Sequence, residues 1–267
     1  MLIQKPIKPV FIVGAGPGDP ELLTLKAVRL LRQAGAVIYD RLISDEILAF
    51  INPAAKRYFA GKSCKQHSMT QDEINHLMVT LARQGVQVVR LKGGDPLIFG
   101  RGGEEASYLA EHDILFELVS GISAASGCSS YYNIPLTYRG MATGVRYVTG
   151  HCKAEELSLN WQSLADPYTT LVIYMGLANL SLIATRLMEH GMPPLLPVAL
   201  IENGTTPQGR IVISDLKHCA KAAQQHQLVP PTLIIMGRVV SLDGIGDINQ
   251  KNQSRSPVQY DTSRQKV

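Results

Sequence analysis

The stretch Val86–Glu105, VQVVRLKGGDPLIFGRGGEE, decides how the chain is read. Its first six residues, Val86–Leu91, form a short run rich in β-branched side chains, the pattern of a buried strand. Glycines then follow at once, at 93 and 94 and again at 100, 102 and 103, beside Asp95, Arg101, Glu104 and Glu105. Glycine tolerates positive φ and lets backbone come close to a neighbour. So much of it straight after a strand points to backbone presented to a ligand, with charged groups on the rim. The plainer alternative for the two glutamates is the first turn of a helix, where acids oppose the positive end of the dipole.

The same alternation runs outward from this stretch. Val10–Val13 reads as a strand that breaks into glycines, and Leu22–Arg32 spaces Leu22, Leu25, Val28 and Leu31 at a helical period. Ala36–Tyr39 is a strand ending on Asp40, and Lys56–Ala60 is another. Thr70-Gln71-Asp72-Glu73 has the spacing of a capping box, opening a helix that reaches Gln84 and stops at Gly85. Further on, Val145–Thr149, Thr170–Met175, Pro197–Ile201, Arg210–Ile213 and Thr232–Met236 read as strands, and Leu180–His190 as a helix stopped by Gly191. Strands alternating with helices imply an α/β protein with mostly parallel sheet. In such sheets ligands collect at the carboxyl ends of strands. A boundary near Ser120–Gly121 divides an N-terminal α/β domain, 1–120, from a C-terminal one, 121–244. The polar stretch 245–267 reads as a disordered tail.

Composition narrows the function classes. The chain has 267 residues, 45% apolar and 18% charged, ordinary for a soluble globular protein. No apolar run is long enough for a membrane span, and the N-terminus lacks the pattern of a secretory signal, so a cytoplasmic location is expected. Of the net charge of +4, the tail after Gly246 carries +2, from Lys251, Arg255, Arg264 and Lys266 against Asp247 and Asp261. What remains is too little for a basic nucleic-acid face. Cys64, Cys128, Cys152 and Cys219 form no C-x-x-C pair, and the seven histidines show no ligand-like pairing, so no metal site is expected.

The turn after the first strand, Val13–Pro20 (VGAGPGDP), departs from a dinucleotide fingerprint because Pro17 removes an amide and the glycines fall as G-x-G-x-G. A nicotinamide enzyme also wants an acid some twenty residues on, and Asp40 lies at about that distance. Spacing alone therefore leaves that reading open, and leaves a purely structural turn open as well.

The motifs become specific when taken in order. VGAGPGDPELLTLKA, YDRL, Gly61-Lys62, RLKGGDP, FGRGGEE, NIPLT at 133–137, VTGH at 148–151 and YMG at 174–176 together resemble the uroporphyrinogen-III C-methyltransferases of the tetrapyrrole methylase family. The likeness spans roughly residues 9 to 242 and is greatest to the methyltransferase half of siroheme synthases. It implies two α/β domains with the active site in the cleft between them, in a homodimer. It implies S-adenosylmethionine as methyl donor, with S-adenosylhomocysteine as its product, and a tetrapyrrole as acceptor, methylated on two neighbouring rings to precorrin-2. By motif, the cofactor contacts are Pro17, Gly93, Gly94, Asp95, Ile98, Ser123, Ala124, Met175 and Gly204. Asp95 would accept from ribose or amino groups, and Ile98 and Met175 would pack on adenine or the thioether stem. Ser120 and Ser123 stand where the family has proline and threonine, and Tyr138 where it has histidine; Arg139 is retained.

Methyl transfer from a sulfonium needs mainly alignment, but the methylated macrocycle must then lose a proton. The resemblance makes Asp40 the base and Lys62 a proton donor. Read from the residues alone, Asp40 could instead pair with Arg41 or cap a turn, and Lys62 could be a surface lysine. Arg101 is assigned to a substrate carboxylate or to developing charge, Glu104 to orienting Arg101 or meeting pyrrole N–H groups, and Arg139 to another carboxylate arm. A methylase of a later corrin intermediate and a non-catalytic tetrapyrrole carrier are the other readings.

Overall fold

The computed structural model describes residues 6–61, 69–151 and 157–242. The first sheet holds β1 (Val10–Gly14), β2 (Ala36–Tyr39), β3 (Lys56–Phe59), β4 (Val88–Lys92) and β5 (Phe116–Val119) in the order β3-β2-β4-β1-β5. Every pairing in it is parallel. Side chains alternate between two apolar layers. Even positions such as Val10, Ile12, Ala36 and Ile38 meet α3 (Gln71–Arg83) and α4 (Gly102–Glu111). Odd positions such as Val13, Val37, Val89 and Leu91 meet α1 (Leu25–Gln33) and α2 (Asp45–Leu48). Helices on both faces are what a parallel sheet of right-handed crossovers requires.

The second sheet corrects the expectation of mostly parallel strands. It holds β6 (Gly144–Thr149), β7 (Thr169–Tyr174), β8 (Pro197–Glu202), β9 (Arg210–Asp215) and β10 (Thr232–Met236) in the order β6-β7-β10-β8-β9. Only β6 and β7 are parallel. β8 and β9 are joined by the short segment 203–209, too short for a crossover, so they must run antiparallel. β10 inserts between β7 and β8 antiparallel to both. Helices α6 (Trp161–Leu164), α7 (Leu180–Glu189) and α8 (Cys219–Gln225) cover one face. Helix α5 (Ala124–Tyr131) covers the other with Ala125 and Cys128, joined by Tyr132 just past its end.

Local signals account for most boundaries. Thr70 and Glu73 form the full capping box, and Gly85 follows the helix with φ +73°. The helix expected from Leu22 begins at Leu25, because Thr24 caps it through the Ala27 N–H while Asp19 and Pro20 set up a separate 3-10 turn over Pro20–Leu22. Met175, expected to end a strand, lies outside β7 with φ +53°. Lys62, Cys64, Cys152 and the expected tail lie outside the described residues.

Candidate functional site

Three loops leave the carboxyl ends of the adjacent strands β4, β1 and β5. The chain after β1 crosses toward β2 and the chain after β4 crosses the opposite way toward β5, so these two neighbours form the topological switch point of the sheet. Their loops are tied together. Gly16 N–H donates to the Gly94 carbonyl at 3.2 Å, Gly94 N–H to Gly16 at 2.7 Å, and Ala15 N–H to Lys92 at 2.8 Å. The third loop closes on them. A Cβ on Gly121 would lie 2.2 Å from the Gly94 oxygen, and one on Gly14 would lie 2.5 Å from the Gly121 nitrogen. Only glycine permits this triple approach.

Asp95 clasps the junction. Its Oδ1 accepts from Leu97 N–H at 2.8 Å and its Oδ2 from Gly121 N–H at 3.1 Å. Each oxygen keeps a second lone pair for a ligand. Glycine content in this loop has a different cause from the one its sequence implied. Cβ atoms on Gly100 and Gly102 would each fall 2.6 Å from the Pro96 carbonyl oxygen, so these two serve the loop's own packing, while one on Gly93 would meet Leu42, in the segment after β2, at 3.0 Å. Gly94, with φ +70°, faces open space bounded by the first amide of α5, Ala124 N, at 3.8 Å.

Loops of the second sheet reach the same place. Ser123 caps α5 through Ser126 N–H at 3.2 Å, so its hydroxyl already has work. The Pro17 ring packs on α5 so closely that a Cβ on Gly127 would come within 2.4 Å of it. Gly204 meets the other side of α5, where its Cβ position lies 2.4 Å from Cys128 Sγ. Asp19 N–H donates to Thr205 Oγ1 at 3.3 Å, Ala125 N–H donates to the Tyr174 hydroxyl at 3.1 Å, and the Phe99 ring sits 4.9 Å from the Tyr174 ring. Phe99, Arg101, Met175, Asn203 and Thr205 all have left-handed backbone in these loops, whereas the other such residues, Asp113, Asn133 and Gln227, follow helix ends where that conformation is usual. Such conformations cost on the order of 1–3 kcal/mol each and gather at ligand sites. Met175 is 52% exposed and Phe99 39%, with Ile98 half-buried nearby in sequence.

Arg101 and Glu104 are brought together. Arg101 Nε lies 3.0 Å from both Glu104 carboxylate oxygens, and both side chains are exposed. That hydrogen bond is the main reason the Arg101 pKa is raised. Arg139 is exposed on the turn between Tyr138 and Ala142 and bonds to neither of them among the described residues. Asp40 pairs with Arg90 rather than Arg41, the NH2 nitrogen lying 2.8 and 3.1 Å from its two oxygens.

Behind Asp40 is a cluster that sequence reasoning missed. Arg90 and Lys92 point to the α3–α4 side of β4 and are buried. Arg90 Nε, Lys92 Nζ and Gln71 Nε2 all donate to Glu105 Oε1, at 3.1, 2.8 and 3.1 Å. Glu105, expected on the loop's rim, is 0% exposed, and its Oε2 has no partner among the described residues. It occupies the first turn of α4 as the plainer reading held, but with its side chain inward. Burial lowers the Lys92 pKa, helped by neighbouring Arg90. Burial also pulls on Arg90, but Glu105 and Asp40 outweigh it and raise the pKa. The signal in the sequence was the alternation Val88, Arg90, Lys92, which puts two cations on one face of an otherwise apolar strand.

A shallow depression lined by Ala110, Asp113, Ile114, Leu115 and Phe116 lies at the opposite, amino end of β5. Among the described residues no three His, Cys, Asp or Glu side chains converge as metal ligands, and no helix is long and apolar enough to cross a membrane.

A parallel sheet with tied loops at its switch point, contacted there by loops of a mixed second sheet, defines an α/β fold of two sheets. Residues 9–220 match the tetrapyrrole (corrin/porphyrin) methylases, and the chain belongs to that family. It is 50% identical over 238 residues to the siroheme synthase of Azotobacter vinelandii, covering 89% of this chain and 51% of that one. To a Pseudomonas aeruginosa siroheme synthase it is 51% identical over 233 residues, with 87% and 50% covered. The chain thus spans about half the length of the curated relatives it matches. Among solved structures, a Thermus thermophilus uroporphyrin-III C-methyl transferase complexed with S-adenyl homocysteine is 40% identical, with TM-score 0.75, 87% of this chain and 98% of that chain covered. A cobalt precorrin-4 methyltransferase, 24% identical with TM-score 0.79 over 88% of this chain and 96% of its own, shares the fold.

Proposed function

We propose that the chain transfers methyl groups from S-adenosylmethionine to C2 and C7 on two neighbouring rings of uroporphyrinogen III, giving precorrin-2 for siroheme, cobalamin or haem d1 synthesis. It works in the cytoplasm as a homodimer, with residues 1–120 and 121–244 as its two domains. The observation that carries this reading is the 98% cover of the S-adenyl homocysteine-bound Thermus thermophilus enzyme at 40% identity.

The residues present fit an adenosyl sulfonium. Gly94 offers bare backbone beside open space, exposed Met175 and half-buried Ile98 offer apolar surface, and Asp95 keeps acceptor capacity after tying the loops. Pro17, Gly93, Ser123, Ala124 and Gly204 complete this binding wall. When bound, S-adenosylmethionine supplies a methyl group already activated on sulfur. The chain's own part is to align the acceptor carbon and handle its proton. Asp40 takes that proton, with Lys62 as donor. Arg101, which Glu104 holds in a two-oxygen grip, turns to a substrate carboxylate, and Arg139 binds a second arm. Anaerobic incubation with uroporphyrinogen III and S-adenosylmethionine, followed by mass spectrometry, tests the reading. Two added methyl groups are expected, and a product with none overturns it.

A further inference from the structure

Asp40 follows β2 directly, and Ile38 pairs with Arg90 in the adjacent strand β4. Its side chain is 30% exposed, while that of Arg90 is 3% exposed. The guanidinium is fully engaged: Nε with Glu105, NH1 with the carbonyls of Ile38 and Leu91 at 3.4 and 3.2 Å, and NH2 with both Asp40 oxygens. These five contacts equal the donor capacity of arginine and fix its plane. Lys92 turns to Glu105, so Arg90 is the only cation bonded to the Asp40 carboxylate among the described residues. Glu105 in turn is held by three donors from α3 and β4.

Burying two cations beside one fully buried acid is a poor way to stabilise a core, since well-packed apolar residues do as well or better. The arrangement does achieve one geometric result. It holds both oxygens of a carboxylate that stays 30% exposed just after β2, at the same carboxyl end of the sheet as the switch-point loops. We propose that Arg90 is a positioning residue, anchored by Glu105, which fixes the Asp40 carboxylate in the orientation needed for proton removal. This rests on the reading of Asp40 as the base. A lysine at 90 keeps the charge but has no planar fork to hold Glu105 and both Asp40 oxygens together.

The test is a double-mutant cycle on the full chain, measuring methyl transfer to uroporphyrinogen III with S-adenosylhomocysteine binding by calorimetry as the check on folding. Asp40→Asn should lower kcat by about 100-fold or more. Arg90→Lys should lower kcat by about tenfold, with KM and cofactor affinity within about twofold of the parent. Arg90→Lys in the Asp40→Asn background should cost nothing further, because Arg90 acts through Asp40. If Arg90→Lys fails to bind S-adenosylhomocysteine, Glu105→Gln, which keeps the volume and removes the anchoring charge, takes its place in the cycle with the same expectation. Unchanged kcat in the replacement at 90 or 105, or losses that multiply in the double mutant, overturns the positioning role alone. Full activity in Asp40→Asn overturns the base assignment and the positioning role with it. A parent chain that transfers no methyl group overturns the proposed function itself.

Discussion

The two sheets of this molecule solve the same packing problem with different interiors. The second sheet lies between apolar layers, mostly leucine, isoleucine, valine and alanine with a few methionine, cysteine and tyrosine side chains, and its buried acid, Glu202, sits at a strand end against Arg210, whose side chain is nearly half exposed. The first sheet carries Arg90, Lys92 and Glu105 inside its α3–α4 layer. A sheet does not need such a cluster to fold, as its neighbour demonstrates. The charges stand on β4 and the first turn of α4, on either side of the loop that leaves the switch point.

The largest expected effect separates the two interiors. Glu105→Ala removes the shared acceptor of three donors, strands the buried Lys92 and leaves Arg90 with Asp40 alone, which should cost about 3–5 kcal/mol of folding stability. Glu202→Ala in the second sheet should cost about 1 kcal/mol or less, because Arg210 can turn to water. Urea unfolding of both variants checks this, and equal losses would erase the distinction between the sheets.

The next comparison concerns glycines. Gly204→Ala drives a methyl group to 2.4 Å from Cys128 Sγ and should cost about 2 kcal/mol by overpacking. Adding Cys128→Ala removes the nearer contact, leaving Ile201 Cγ2 at 2.8 Å, and should recover part of that stability. If Gly204 also touches the cofactor, S-adenosylhomocysteine affinity stays low in the double variant after stability returns. Affinity that returns in step with the melting temperature reduces Gly204 to a packing residue.

Asp95→Ala probes the corresponding junction in the first sheet. It unties Leu97 and Gly121 and should weaken S-adenosylhomocysteine binding about tenfold, or about 1.4 kcal/mol, read by calorimetry. An unchanged dissociation constant would remove Asp95 from the binding wall and leave it a loop clasp.

The contrast between the sheets also marks what the sequence could convey. Strands and capping boxes are local, so β1, β2, the Thr70–Glu73 box and the stop at Gly85 were all legible. Parallel pairing is not local. The alternation of strands and helices continues into the second half of the chain, yet the 203–209 turn and the insertion of β10 make that sheet mostly antiparallel. Helix α5 went unread, and α4 was legible only as the alternative of a first turn at Glu104 and Glu105, because glycine and serine dilute their periodicity; Gly102 and Gly127 are there for close contacts with Pro96 and Pro17. At the site, the contact of Arg101 with Glu104 was one of two roles expected for that glutamate, and the pair lies three residues apart across the start of α4. The partnership of Asp40 with Arg90 was not, since fifty residues separate them and only strand register brings them side by side.

The smallest effect is expected where the second sheet places a carboxylate–imidazole hydrogen bond at its edge. Asp215, the last residue of β9, accepts from the His218 ring Nδ1–H at 2.9 Å and from the His218 backbone N–H at 2.9 Å. The ring bond is the main reason its pKa is lowered. A carboxylate whose folded-state pKa lies below its unfolded one stabilises the fold above the unfolded value and loses that contribution as pH falls through the folded value. The contribution of Asp215 is therefore complete at pH 7 and disappears below about pH 4, the ordinary range for aspartate. Because the pair is solvent-exposed, Asp215→Asn should cost no more than about 1 kcal/mol at pH 7. The variant and parent should converge in stability as the solution is acidified through that window. A cost near that of Glu105→Ala would mean that the second sheet also depends on charge, and that burial is not what separates the two.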